Sequence, residues 1–158
     1  MKNIKIKKGK LLLIGIGNSG RKDDGLGWKF ADYVNSLNLQ DVDCEFRYQL
    51  QVEDALLVSH YDKVIFVDAS HAKLSNGFQW RSCKPVSHYY FSSHIQKPET
   101  VLYLAKELYR SIPEAYILGI AGNDWGLGPG LSQKAEANLK RAMSFFDHKF
   151  SISSPEIS

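Results

Sequence analysis

Short, wholly apolar runs alternate along the chain with longer segments whose apolar residues recur at helical spacing. The run from Lys10 to Ile16 is almost entirely leucine and isoleucine and leads into glycines, the pattern of a strand buried on both faces and central in a parallel sheet. From Leu26, the positions Phe30, Val34 and Leu37 predict a helix ending near Asn38, so the first strand, its loop and this helix begin a βαβ unit. Cys44 to Leu50 predicts a second strand, Val52 to Ser59 a short helix, and Lys63 to Val67 a second apolar strand that stops at Asp68. Gly77 to Ser82 is compatible with another strand, and Pro85 to Ser93 reads as an irregular loop.

Pro98 opens a further helix with Val101, Leu104, Ala105 and Leu108 inward, since proline is tolerated in a first turn. Ala115 to Ile120 predicts a strand and Ala121 to Gly130 a glycine-rich loop. Ser132 then caps a last helix that turns Ala135, Leu139, Ala142, Met143 and Phe146 inward. The expected fold is one three-layer α/β domain over residues 1–150, with a mostly parallel central sheet covered by helices on both faces and a frayed tail at 151–158.

Composition narrows the function classes. With 44% hydrophobic and 23% charged residues, the chain has the balance of a globular domain able to bury a core. Its formal charge of +3 owes much to Lys2, Lys5, Lys7, Lys8 and Lys10, which leaves a near-neutral body and argues against nucleic-acid binding. That lysine-rich start reads as a solvated edge strand. Cys44 and Cys83 form no CxxC pair and are expected to be reduced, buried thiols. The longest apolar run falls far short of the ~20 residues a membrane span needs, so a cytoplasmic protein without membrane insertion is expected.

In open α/β sheets, working groups gather beyond the carboxyl ends of the strands. That rule selects the loop Gly15 to Gly27 with Asp23 and Asp24, the strand end at Asp68 with His71 nearby, and Ser92, Ser93 and His94 ahead of the Pro98 helix. Gly15, Gly17 and Gly20 fit a dinucleotide fingerprint in spacing, but Arg21 to Gly25 separate them from the helix, and two acids there would repel a diphosphate. One of Asp23 and Asp24 is expected to cap the helix, which leaves one over. Two carboxylates and an imidazole from three loops make an N/O set with open positions, suited to a divalent ion such as nickel or zinc. No G-x-S-x-G elbow supports a serine nucleophile.

The ordered set of Gly15, Gly17 and Asn18, then Asp23, Asp24, Gly25 and Gly27, then Asp68 and Ala69, then Ser93 and His94, resembles the nickel-iron hydrogenase maturation endopeptidases from about Leu11 to Ala142. The resemblance implies a peptidase that removes a C-terminal peptide from the hydrogenase large-subunit precursor once nickel is inserted. The nickel arrives with that precursor as part of the substrate. It further implies that Asp24, Asp68 and His94 contact the metal, with Asp68 and Asp24 the candidate catalytic acids. Asp68 is the preferred catalytic group because a strand end is rigid, with Asp24 and His94 to hold the nickel and either acid a candidate base. Asp24 stands where relatives often carry Glu, and Ala121 with Gly122 where they often carry a Glu-Pro pair, while Gln49 with Leu50, Gly119 to Gly122, and Gly130 to Ser132 resemble the subgroup serving bidirectional, soluble hydrogenases. Two alternatives are a noncatalytic metal- or precursor-binding module and a peptidyl-tRNA hydrolase-like enzyme. The latter needs a histidine shortly after the first loop, and Arg21 to Phe30 has none.

Overall fold

The computed structural model describes residues 7–88 and 96–152. Among them, strands β1 (Lys7–Ile16), β2 (Val42–Arg47), β3 (Tyr61–Ser70), β4 (Phe78–Cys83) and β5 (Glu114–Ala121) form one sheet in the order β2-β1-β3-β5-β4. β4 runs antiparallel to β5 at one edge, and the other pairings are parallel. The chain steps from β1 to β2 on one side and returns to β3 on the other, so the order reverses at the carboxyl ends of β1 and β3. A reversal of this kind opens a crevice beyond the sheet.

The apolar runs supply two cores because alternate residues of a strand face opposite ways. Leu12, Ile14 and Ile16 join Val64 and Phe66 under helices α2 (Asp54–Val58) and α3 (Pro98–Tyr109). Leu11 and Leu13 join Ile65 and Val67 under α1 (Leu26–Ser36) and α4 (Gln133–Lys149). The three-layer α/β architecture is therefore the expected one. Ser132 caps α4 as expected, its hydroxyl oxygen accepting from the Ala135 N–H at 3.2 Å. Ile152 packs on the α1/α4 core.

Several local expectations are revised. Of the lysine-rich start, Lys7, Lys8 and Lys10 belong to β1 rather than to a separate edge strand, Lys7 pairing with Tyr61 of β3, and Lys2 and Lys5 lie outside the described residues. β3 does not stop at Asp68, since Asp68, Ala69 and Ser70 stay in register with Gly119, Ile120 and Ala121. Leu108 is 58% exposed rather than inward, in the final turn of α3. Cys83 is buried and Cys44 half-buried. Burial pushes their thiols up to about 12 and about 11, which keeps both protonated and poor nucleophiles.

Candidate active site at the carboxyl rim of the sheet

Two glycines allow the loop after β1 to hold an acid over the sheet. Gly27, in the first turn of α1, lies so close to the ends of β1 and β3 that a Cβ there would come within 2.4 Å of the Ile16 carbonyl oxygen and 2.5 Å of that of Val67. Gly17 has φ +146°, and its Cβ would collide with the Asp24 carbonyl oxygen at 2.0 Å. The chain therefore closes tightly into a 3-10 turn, Lys22–Gly25, that carries both acids of the pair.

The two acids have different environments. Asp23 is fully buried and accepts from the N–H groups of Asn123 and Asp124, both at 2.7 Å, and of Ser132 at 2.8 Å, and from the Ser132 hydroxyl at 2.7 Å. Burial alone would raise its carboxyl, but these hydrogen bonds outweigh it and hold the group below the ordinary value. Asp23 is thus a clamp on the loop after β5, and neither acid makes a side-chain cap to the 3-10 turn or to α1.

Asp24 is half-buried and faces the crevice, with Oδ2 accepting from the Asn18 N–H at 3.0 Å. Burial raises its carboxyl, opposed by that hydrogen bond and by the charges of Arg21 and His71. Asp68 arrives on β3 and accepts only from its neighbour, the Ala69 N–H at 2.8 Å, among the contacts of the described residues. Burial pushes its carboxyl up to about 7; the Ala69 N–H opposes the rise and the negative charge of Asp24 adds to it.

Asp24 and Asp68 line one cavity of ≈ 320 Å³ together with Gly17, Tyr48, Leu50 and Gln96. Asp68 also lines a second cavity, of ≈ 470 Å³, with His71, Arg81, Lys97 and Gly119. The structure thus brings together two of the three expected groups. His94 lies outside the described residues, as do Ser92, Ser93 and Tyr89 to Phe91. Among the described residues, no three of His, Cys, Asp and Glu are placed to hold a metal ion together. His71, the other histidine near Asp68 in sequence, stacks on Trp125 with ring centres 3.7 Å apart.

Sequence reasoning did not find the clamp by Asp23 or the roles of Lys97 and Gly119 as cavity walls. The clamp joins segments about one hundred residues apart, and no local pattern signals it. Gly119 stands in an otherwise apolar strand, where a glycine is itself a sign of close approach or open space.

A rigid α/β scaffold with two crowded carboxyl groups at its topological switch point has the layout of a hydrolytic or metal-reading site. No family model and no curated protein matches the chain. Solved structures do match it. The nickel-iron hydrogenase maturation protease HycI of Thermococcus kodakarensis superposes with TM-score 0.70 at 21% identity, over 90% of this chain and 92% of that one. The hydrogenase 2 maturation peptidase of a Thaumarchaeota archaeon gives 0.66 at 19% identity, over 91% and 99%. The hydrogenase maturating endopeptidase HybD of Escherichia coli gives 0.69 at 15% identity, over 90% and 92%. The chain has the fold of the hydrogenase maturation proteases.

Proposed function

We propose that this protein is an endopeptidase that removes a C-terminal peptide from a nickel-loaded nickel-iron hydrogenase large-subunit precursor. The observation that carries the reading is the pair of crowded carboxyl groups, Asp24 and Asp68, lining one cavity in a fold shared with hydrogenase maturation proteases. The substrate's nickel is read by Asp24, Asp68 and His94. In support of His94, Gln96 two positions further on is buried in the wall of the same cavity and donates its N–H to the Leu50 carbonyl oxygen at 3.3 Å.

In this mechanism the precursor's nickel polarises the scissile carbonyl, and water attacks its carbon. Asp68 accepts a proton from that water as the new C–O bond forms, then passes it to the departing amine as the C–N bond breaks. The bidirectional, soluble class of hydrogenase is the proposed source of the precursor, on the motif details at Gln49 with Leu50, Gly119 to Gly122 and Gly130 to Ser132. Incubating the protein with nickel-loaded precursor and following the mass of the large subunit tests the reading. Asp68→Asn is expected to slow the cut by at least ~100-fold, the lower range of general-base contributions. Cleavage at the wild-type rate by that variant would contradict the assignment.

A further inference from the structure

The two cavities meet at Asp68 but differ in what else lines them. The smaller holds both carboxylates, while the larger has Asp68 without Asp24. On the proposed function, the metal comes with the body of the precursor, so the cavity containing both acids faces that body. The chain beyond the cut bond must then leave Asp68 on the other side, through the larger cavity.

The floor of the larger cavity is the face of the sheet ahead of α3. Because α3 begins at Pro98, the face of β3 and β5 toward their carboxyl ends and the amino end of the antiparallel β4 are left to Phe66, Ile117, Gly119 and Gln79, with Pro98 and Glu99 of the first helical turn at the wall. Gly119 keeps this floor low. A Cβ there would meet only Ser70 Cβ at 3.7 Å, an ordinary contact, so neither close approach nor a positive φ requires glycine at this position. The charges of the lining are unequal in their availability. Arg81 is paired with Glu99 at 3.4 Å, and Asp68 belongs to the reacting end. Lys97 is exposed where the two cavities join, and among the described residues no side chain engages it.

We propose that the peptide released from the precursor lies over Gly119 in the ≈ 470 Å³ cavity and presents a carboxylate to Lys97. The carboxylate is either an acidic side chain close to the cut bond or the peptide's own C-terminus. The proposal rests on the peptidase reading, and a binding assay separates the two.

The assay measures fluorescence polarisation of short labelled peptides of one neutral sequence, titrated with the full chain. One peptide carries a single internal glutamate and an amidated end, one is neutral with a free C-terminal carboxylate, and one is neutral and amidated. At least one carboxylate-bearing peptide is expected to bind up to ~5-fold more tightly than the neutral amide, about 1 kcal/mol for an ion pair to an exposed lysine, and the tighter of the two identifies the source. Lys97→Glu is expected to erase that preference. Gly119→Leu is expected to weaken every peptide ~10-fold or more without lowering the melting temperature, whereas Gly119→Ala retains binding. Equal binding of all three peptides by the wild type, no binding of any, or an unchanged preference in Lys97→Glu overturns the proposal. If Gly119→Leu melts early, the exposed Lys97→Glu variant still decides. Failure of the wild type to cut nickel-loaded precursor would instead overturn the peptidase reading and leave the peptide preference standing.

Discussion

Asp23 and Asp24 are adjacent in the chain and serve opposite ends. Asp23→Ala leaves three backbone N–H groups and a hydroxyl without their acceptor in a buried site. At ~1–3 kcal/mol for each unsatisfied donor, the loss should reach at least ~3 kcal/mol in a urea melt. Asp68 is expected to behave in the opposite sense. Its folded carboxyl sits at about 7 against 3.8 for the ordinary group. The stability its neutral form contributes is therefore fully present below 3.8 and lost as pH rises through about 7. Asp68→Asn should consequently stabilise the protein in chelator-treated buffer, with a gain that grows from pH 4 to pH 7 and levels off above pH 8. A gain independent of pH would contradict this account of Asp68. The sequence identified the acid pair and Asp68 as candidates but not the division of labour within the pair, which depends on the distant loop 122–132 that Asp23 grips.

At the scale of elements, the apolar runs and helical spacings announced the sheet and its layers because each feature needs only local residues. The direction of β4 and the entry of β1 were not legible, since both depend on which strand lies alongside. α1 shows how an element positions the site. Gly27→Ala would drive a Cβ into the carbonyl oxygens of Ile16 and Val67, so α1 must lift and carry the turn bearing Asp24 with it. Overpacking of this kind costs ~1–3 kcal/mol, and activity should fall along with the melting temperature. By contrast, Phe146 of α4 packs edge-to-face on Phe30 at 5.6 Å, away from the cavity that holds the acids. Phe146→Ala should cost ~3–5 kcal/mol in a denaturant melt while the cut rate of the remaining folded protein stays near wild type.

For the whole molecule, the sheet reversal gathers Asp24 and Asp68 at one rim, with two cavities running from it, and on the proposed function these would take a polypeptide on either side of the bond to be cut. The proposed mechanism assigns polarisation of the carbonyl to the ion that arrives with the substrate, and a pair of acids sharing one proton could do the same without it, so the dependence on nickel is its most exposed point. The direct measurement is a paired cleavage assay on the same large-subunit precursor, nickel-loaded and nickel-free, with the product identified by intact mass. The account predicts a single cut in the nickel-loaded precursor that shortens its C-terminus, and no cut in the nickel-free one. Equal cleavage of both would contradict it.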